Sequence, residues 1–263
     1  MNCLFWNVNR KKLNDYIVEI VLENSINILA LAEYEDDIDD LKRKFIDAKY
    51  DIYEYPNVGS RITLLTTISI ASIERILDKS HYILFRIQHE RLGRVMFGFV
   101  HLFSKMMKDE NDYFSKMSKL VVEVERVEKE VDSDFTILAG DYNMNPFEKG
   151  MLSAGALHAF PTTYEALKSK RTLDDEEYKM FYNPMWKFFG DHRDVPGTYY
   201  TTPTHTYGLY WNLFDQVIYR PSLIDDVENI QIKNKIMGNI LVNESLKIRI
   251  SDHLPIYFEL KGR

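Results

Sequence analysis

Acidic, amide and imidazole side chains stand at the ends of several apolar runs in this sequence of 263 residues. In the stretch ILAGDYNMNP, residues 137–146, the apolar run reaches Gly140 and is followed at alternate positions by Asp141, Asn143 and Asn145. Because Asp, Asn, Gly and Pro are also the usual turn formers, an ordinary turn would explain this stretch equally well. The other strand ends must decide between a turn and a site that binds a cation or aligns a water molecule.

Five further apolar runs begin or end with residues of the same chemical types. They contribute Asn7 in FWNVN, Glu33 in ILALAEYE, His101 in FGFVHLF, Asp215 in NLFDQ, and Asp252 with His253 in ISDHLP. One such residue is uninformative, but six sites form a pattern, because ligands of α/β proteins gather at the edges of sheets. An acid among apolar neighbours is costly without a partner, so we expect Asp215 to have one in a functional site. His101 is interpreted either as functional or as a satisfied core histidine.

The elements that would position these residues begin with a β-α-β unit. Residues 4–8 and 26–32 are predicted strands, and residues 13–24 between them have the spacing of an amphipathic helix. The acids Asp36, Asp37, Asp39 and Asp40 then precede a second apolar helical pattern. Because acids in the first turn favour the helix dipole, this run is interpreted as a helix start and not as an ion site.

Strand-like runs dominate residues 51–101 and are expected to be consecutive and antiparallel. They cover 53–55, 62–67, 69–76, 82–88 and 94–100, and are rich in β-branched and aromatic residues. A long amphipathic helix is predicted at about 112–131, followed by strands at 135–139, 198–202, 213–219 and 255–260. This alternation predicts an α/β protein, a sandwich with sheet inside and helices outside.

Composition restricts the classes of protein that the chain can represent. Hydrophobic residues make up 45% of the sequence, Cys3 is its only cysteine, and the formal net charge is −7. The hydrophobic content excludes general disorder, and a single cysteine excludes an internal disulfide. The negative net charge provides no global attraction for a polyanion. The sequence has no apolar run of the ~18 residues that span a bilayer and no secretion signal. We therefore expect one cytoplasmic domain over residues 1–263, with no membrane partner.

Read in order, the strand-end residues resemble the motifs of the endonuclease/exonuclease/phosphatase superfamily, the group of DNase I, exonuclease III-type abasic-site endonucleases, sphingomyelinases and inositol polyphosphate 5-phosphatases. GDYNMNP and SDHLP match its two most diagnostic motifs, and the resemblance extends from Asn7 to His253. The stretch THTYGLYWNLFDQ is similar to that of bacterial members. The resemblance implies a DNase I-like fold, a four-layered sandwich of two mixed β-sheets flanked by helices.

The resemblance also implies a role for each position. Glu33, Asn7 and Asp252 would bind Mg²⁺, or Mn²⁺ in its place, because a cation must offset the charge that develops on the phosphate. Asp141 would align or deprotonate the attacking water, and Asn143 would donate to a phosphoryl oxygen. His253 would contact the phosphate and be oriented by Asp215. His101 would be a second imidazole at the phosphate.

Substrate contacts are predicted less directly. Arg61 is interpreted either as a phosphate contact or as a surface charge, and Asn145 either as a brace of its turn or as a substrate contact. A substrate-loop or helical insertion is expected at about 150–197, with candidate contacts at Lys168, Lys170, Arg171 and Trp186. Cations interleaved with aromatics suit nucleic acid, although these aromatics would equally form the core of a helical hairpin. No role is assigned to His81, His89, His158, His192 or His205, which lack metal-ligand spacing.

Three functions remain open at this point. The first is a Mg²⁺-dependent phosphodiesterase acting on nucleic acid, a DNA endonuclease with DNA preferred over RNA. The second is a phosphatase or phosphodiesterase for a small or lipid phosphate. The third is a catalytically silent phosphate-binding module, which predicts loss of residues such as Glu33, Asp141 or His253, all of which are present.

Overall fold

The computed structural model describes residues 1–104, 109–190, 195–203, 208–243, 245 and 247–262. Its α-helices are Asn14–Asn24 (α1), Ile38–Asp47 (α2), Glu110–Val131 (α3), Lys149–Leu152 (α4) and Thr163–Ala166 (α5), with short 3-10 helices at Ile70–Ser72, Pro184–Phe188 and Pro221–Leu223. Its strands are Asn2–Asn7 (β1), Ile28–Ala32 (β2), Tyr53–Tyr55 (β3), Ile62–Thr66 (β4), Ile73–Lys79 (β5), Tyr82–His89 (β6), Gly93–His101 (β7), Thr136–Asp141 (β8), Ala159–Phe160 (β9), Lys170–Leu173 (β10), Glu176–Lys179 (β11), Phe181–Tyr182 (β12), Tyr199–Tyr200 (β13), Trp211–Asn212 (β14), Asp215–Tyr219 (β15), Val227–Ile232 (β16), Lys235–Ile236 (β17), Asn239–Ile240 (β18) and Ile256–Leu260 (β19).

The β-α-β opening is confirmed. Strands β1 and β2 pair in parallel, with Asn7 opposite Ala32, and α1 crosses between them. The acidic run is a helix start, as predicted: the Asp37 carboxylate accepts hydrogen bonds from the backbone N–H groups of Asp39 and Asp40. These bonds satisfy two of the donors that a helix leaves free at its first turn.

Two large mixed sheets form the centre of the molecule. One has six strands in the order β16-β19-β1-β2-β4-β3, and the other has seven in the order β5-β6-β7-β8-β15-β12-β9. The run of strands from residue 53 to residue 101 is antiparallel between neighbours but is divided between the sheets. The predicted strand at 69–76 is partly wrong, because its first half is the 3-10 helix Ile70–Ser72, where the chain passes from one sheet to the other.

Alternating side chains of the strands build three cores and hence four layers. Phe5 packs between the sheets against Phe99 of β7, whereas its neighbour Trp6 points to the opposite face, in the core under α1 and α2. Met117 and Val124 of α3 cover the other face of the seven-stranded sheet. The order is therefore helices, six-stranded sheet, seven-stranded sheet and helix, which confirms the predicted sandwich.

Strands β7 and β8 are parallel neighbours joined by α3, so the helix must run back along the sheet between them. The first turns of α3 therefore lie at the end of the sheet where β7 and β8 finish. Gly140 is required at this end: its φ is +146°, and a Cβ atom there would lie 2.0 Å from the carbonyl oxygen of Val100 on β7. Only glycine lets β8 approach β7 this closely.

The segment at 150–197 is not the helical hairpin considered above. In its described residues, besides the end of α4, α5 and one 3-10 helix, it forms the β10–β11 hairpin and supplies β9 and β12 to the edge of the seven-stranded sheet. In the described part of the chain, no helix is long and apolar enough to cross a membrane.

Candidate active site

A cavity of about 720 Å³ opens where the strand ends of both sheets meet. The register brings them together: His101 is paired with Asp141 across β7 and β8, and Asp141 with Asp215 across β8 and β15. The cavity is lined, among others, by Asn7, Glu33, Arg61, His101, Asp141, Asn143, Asp252 and His253. Eight of the residues predicted from the sequence thus meet at one edge.

His253 is held between two buried carboxylates. Its Nδ1 atom lies 2.8 Å from Oδ2 of Asp215, and its Nε2 atom lies 3.8 Å from Oδ2 of Asp141. Both acids are at most 1% exposed. Burial lowers the pKa of an imidazole, but here the two carboxylates outweigh it and raise the pKa of His253 to about 10. The ring is therefore an imidazolium at neutral pH, with both N–H groups directed at acids.

The surrounding backbone and side chains fix this arrangement. The indole Nε1 of Trp6 donates to the carbonyl oxygen of His253 at 3.1 Å, and the hydroxyl of Thr198 accepts from the backbone N–H of Asp215 at 3.0 Å. The ring of Tyr199 lies 4.5 Å from the imidazole, centroid to centroid. A hydrogen bond from Trp6, a hydrogen bond to Thr198 and the ring of Tyr199 thus determine where the imidazole stands.

Asp141 accepts from two amide side chains and a backbone group. Its Oδ1 accepts from the backbone N–H of Asn143 at 2.8 Å, and its Oδ2 accepts from the side chains of Asn143 at 3.2 Å and Asn7 at 3.1 Å. Asn143 achieves this with a left-handed backbone, φ +49°, a conformation that asparagine tolerates. Burial raises the pKa of Asp141 despite the nearby His253. The carboxylate is therefore more basic than an ordinary aspartate.

Glu33 follows β2 directly and places its carboxyl group in the cavity. Its Oε1 lies 3.4 Å from Nε2 of His101 and 3.4 Å from Nδ2 of Asn7, and its Oε2 lies 3.4 Å from Nε of Arg10. The hydrogen bond from His101 lowers the pKa of Glu33 to about 2. Partial burial opposes this shift, and the hydrogen bond from Asn7 and the charge of Arg10 add to it. Its side chain is 27% exposed, so an anionic oxygen faces the cavity.

The donor set of the cavity suits a hard divalent cation. Glu33 and Asp252 offer carboxylates, and Oδ1 of Asp252 is buried without a hydrogen-bond partner among the described residues. The amide oxygen of Asn7 accepts from the backbone N–H of Asn9 at 3.0 Å, so Asn7 would offer the cation its remaining lone pair. Oxygen ligands of this kind are those that Mg²⁺ prefers. Asp141, Asp215 and His253 also lie within 4.8 Å of one another by their ligand atoms. We favour Glu33, Asp252 and Asn7 as the metal ligands. In the other group, the imidazole of His253 already lies between the carboxylates of Asp141 and Asp215.

Three further positions have distinct environments. Arg61 is exposed and lines the cavity just before β4, and His101 is 8% exposed, with Nδ1 buried and unpartnered within the described chain. His81, to which the sequence assigns nothing, also lines the cavity and contacts the ring of Phe103 edge-on at 5.3 Å. No ligand spacing marks His81 in the sequence, because it is a hairpin residue brought in by the pairing of β6 with β7.

Asn145 does not line the cavity formed by the described residues. Its side-chain oxygen accepts from the backbone N–H of Leu213 at 2.9 Å, and its side-chain nitrogen donates to Asn212 at 2.9 Å and Glu148 at 3.2 Å. Every hydrogen-bonding direction of the amide is thus directed at the protein. Asn145 braces the turn after β8, the structural alternative considered above.

The basic insertion residues also stand elsewhere. Lys170 is paired with Lys179 across the β10–β11 hairpin, and Nζ of Lys179 lies 2.6 Å from Asp134, which precedes β8. Because β8 has six residues and ends at Asp141, the base of the hairpin is roughly 17 Å from the cavity along the strand. The predicted substrate contacts of Lys168, Lys170 and Arg171 would therefore lie outside the cavity, since local composition does not indicate at which end of a sheet a hairpin stands.

Trp186 is likewise absent from the cavity lining in the part of the chain that is described. It lies in a 3-10 helix whose neighbours Met185 and Phe188 pack in the core between the sheets, the structural alternative for these aromatics. His192, Arg193 and His205 lie outside the described residues.

No protein-family model and no curated protein sequence matches this chain. Among solved structures, it is similar to truncated TDP2 of Caenorhabditis elegans, at 15% identity and a TM-score of 0.60, over 99% of this chain and 97% of that one. It is also similar to the human Nocturnin catalytic domain with bound sulfate, at 14% identity and a TM-score of 0.59, over 99% and 94% of the two chains. The chain is also similar to the 3′ phosphatase NExo from Neisseria, bound to a product DNA hairpin, at 14% identity and a TM-score of 0.56, over 99% of each chain. At these identities, the likeness establishes a shared fold.

Proposed function

We propose that this chain, which has the DNase I-like fold of the endonuclease/exonuclease/phosphatase superfamily, hydrolyses phosphate esters in a metal-dependent reaction. One observation carries the proposal: a buried imidazolium, His253, faces the same cavity as the Glu33 carboxylate, with Asp141 beside it. Cleavage of a phosphate ester needs a positive group near the phosphoryl oxygens and a base near the attacking water, and this cavity offers both.

His253 acts in this proposal as a charged hydrogen-bond donor. With its Nδ1–H held by Asp215, its Nε2–H lies 3.8 Å from Asp141, too far for a hydrogen bond, and is available to a phosphoryl oxygen. A charge that is already in place when the phosphate binds stabilises the transition state without reorganisation. Asp215 is a positioning residue, since among the described residues it does not line the cavity.

Asp141 receives the proton of the attacking water. Burial makes it a stronger base than a solvated aspartate, and the amides of Asn7 and Asn143 hold its Oδ2 in one position. Asn143 has a side-chain N–H group that can pass from Asp141 to the phosphate as negative charge develops there. Arg61 adds a cation to the lining of the cavity, and His101 adds a second imidazole.

Glu33, Asp252 and Asn7 would hold Mg²⁺, with Mn²⁺ as a substitute. When bound, the ion supplies a positive charge that neutralises the phosphoryl oxygens and the leaving oxygen. The low pKa of Glu33 keeps its carboxylate ionised and ready to bind at any physiological pH. His101 and Arg10, which now face Glu33, would share its charge with the ion.

The substrate that we favour is nucleic acid, with DNA preferred over RNA and cleavage within the strand. In its support, NExo is bound to a product DNA hairpin, and zebrafish TDP2 is complexed with a single-strand DNA product. A small phosphate ester is the second candidate, because a cavity of about 720 Å³ has the size of an ordinary small-molecule site. The insertion at 150–197 supports neither nucleic acid nor a small ester as substrate, because its candidate contacts do not line the cavity in the described part of the chain.

The test is a panel of plasmid, single-stranded DNA, RNA and bis(p-nitrophenyl) phosphate, each incubated with Mg²⁺, Mn²⁺ or EDTA. We expect hydrolysis with either metal, none in EDTA, and loss of activity in His253→Ala. Asp134→Asn, which changes an exposed acid at the other end of β8, is the control and should retain full activity. Hydrolysis at the wild-type rate in His253→Ala would signal a contaminant and refute the assignment.

A further inference from the structure

A second concave surface adjoins the catalytic cavity. This groove of about 440 Å³ lies between the β5–β6 turn and α3, and is lined by Lys79, His81, Lys116, Lys119 and Glu123, among others. His81 lines both spaces, so the two are adjacent. We call this surface the α3 groove.

The fold places the α3 groove at the catalytic end of the molecule. Because α3 starts at the end where β7 and β8 finish, Lys116 and Lys119 stand in its second and third turns and line the groove together with His81. Three residues apart, the two lysines share one helix face and are separated by about 4.5 Å along the axis. They form a short row of cations that leads away from the cavity.

The row retains its positive charge. Glu123 lies 3.1 Å from Nζ of Lys79 and 3.4 Å from Nε of Arg126, so its charge is already shared between two other cations. Lys116 and Lys119 have no ion pair within the described ranges, although the chain as a whole carries a formal net charge of −7. Two unpaired lysines beside a phosphate-ester site in an acidic protein provide a local attraction for anions.

His81 connects the two spaces rigidly. The backbone N–H of His101 donates to the carbonyl oxygen of His81 at 2.9 Å, and Nδ1 of His81 lies 3.3 Å from the carbonyl oxygen of His101. Since a carbonyl only accepts, Nδ1 carries the hydrogen. Burial and the Lys116 charge lower the pKa of His81, which leaves a neutral ring at pH 7. The ring is a flat, uncharged surface between the cavity and the lysines.

The β10–β11 hairpin has no such surplus of positive charge. Lys170 is paired with Glu177 at 2.6 Å, and the hairpin turn adds Asp174, Asp175 and Glu176. Its cations are therefore balanced locally and stand at the opposite end of β8. This contrast makes the hairpin a matched reference for the α3 groove.

We propose that the α3 groove binds the backbone of a nucleic-acid strand whose scissile phosphate lies in the catalytic cavity, with Lys116 and Lys119 contacting the neighbouring phosphates. The inference rests on the proposed function and specifies a polymeric substrate for it. Lysine carries its charge on a long, flexible stem, so two lysines on one helix face can each reach a different phosphate of the same strand. The His81 ring offers a surface on which the intervening base stacks.

The test compares Lys116→Ala/Lys119→Ala with Lys168→Ala/Arg171→Ala. Each double variant removes two cations from a net charge of −7 and so has the same formal charge of −9. Binding of a fluorescein-labelled 20-nucleotide DNA strand is measured by anisotropy in EDTA, over a series of KCl concentrations. The groove variant should flatten the slope of log Kd against log salt by about 1.4, which is 0.7 for each lost contact to a single strand. The hairpin variant should keep the wild-type slope.

Kinetics separate this groove from the reaction itself. In the groove variant, KM for the strand should rise with kcat kept, whereas turnover of bis(p-nitrophenyl) phosphate should equal that of the wild type. Equal salt slopes in the two double variants would contradict strand binding by the α3 groove. An equal loss of kcat/KM on the strand and on the small diester would contradict it as well. A wild type that hydrolysed the small diester but neither bound nor cleaved the strand would refute strand binding by the α3 groove. That result would leave the proposed phosphate-ester hydrolysis intact. Failure to hydrolyse any ester would refute the hydrolase, and the binding slopes would still decide the groove.

Discussion

The Nδ1 atom of His253 lies 2.8 Å from Oδ2 of Asp215, and both residues are at least 95% buried. A carboxylate in this position holds the imidazole in one tautomer and one orientation, and keeps it charged. Asp215 starts β15 and His253 precedes β19, so the pair joins the two sheets at the catalytic edge. Any chemistry of the cavity that uses His253 must depend on Asp215.

The first prediction is that the pair acts as a unit. His253→Ala should lower kcat/KM by about a hundredfold or more, as expected for removal of a positioned proton donor. Asp215→Asn should cause a loss of similar size, because the amide keeps the shape but not the charge that fixes the imidazolium. The double variant should lose little beyond either single one. Losses that simply multiply would show that the two residues work independently.

The second prediction concerns the charge of His253 in metal-free protein. Its pKa of about 10 lies above the ordinary 6.5, so its contribution to the free energy of unfolding is fully present below pH 6.5 and is lost as pH rises through 10. Imidazole ¹⁵N shifts recorded in EDTA should report a protonated ring from pH 6 to 9. In Asp215→Asn the ring should titrate at lower pH. A wild-type midpoint near 6.5 would contradict the proposed imidazolium.

The third prediction tests the metal ligands. Glu33→Gln removes the anionic oxygen that faces the cavity, so calorimetric titration should show Mn²⁺ affinity reduced by at least about tenfold. Glu35→Gln is the matched control, since Glu35 lines the same cavity and pairs with the same Arg10, 3.2 Å away, but is exposed. It should bind Mn²⁺ as the wild type does. Equal affinity in the Glu33 variant would remove that residue from the metal site.

The strand-end residues could be predicted because each is marked by a local signal. A polar residue that interrupts an apolar run reveals where a strand stops, and the ends of neighbouring strands in a sandwich meet at one edge. Asn7, Glu33, Asp141 and His253 line one cavity for this reason. Their roles in catalysis remain predictions.

The surfaces that would hold the rest of a substrate could not be predicted in this way. The basic residues around Lys170 look like a phosphate grip in sequence, but long-range pairing carries them to the far end of β8. His81 and Lys116 carry no motif, and they become neighbours of the cavity only because α3 packs over a hairpin turn. Composition identifies candidate residues, whereas tertiary contacts decide which of them stand at the site.

The fourth prediction concerns a buried ion pair that no sequence motif marks. Arg220 is 1% exposed and follows β15, and its Nε donates to Oε1 of Glu128 on α3 at 2.7 Å. The same carboxylate accepts from Thr136 at 2.7 Å, and the guanidinium lies 3.9 Å from the ring centre of Phe181. The pair thus fastens α3 to the seven-stranded sheet at the end remote from the cavity.

Glu128→Ala leaves the Arg220 charge buried without this partner, so it should lower the free energy of unfolding by about 3–5 kcal/mol, measured by urea denaturation. Glu130→Ala, two residues further along α3, removes an exposed partner of Arg126. It should change the free energy of unfolding by less than about 1 kcal/mol. Because the pair is remote from the cavity, the folded fraction of Glu128→Ala should retain the wild-type kcat. A stability equal to that of the Glu130 variant would mean that nearby acids such as Glu125, 3.5 Å from Arg220, replace the missing carboxylate.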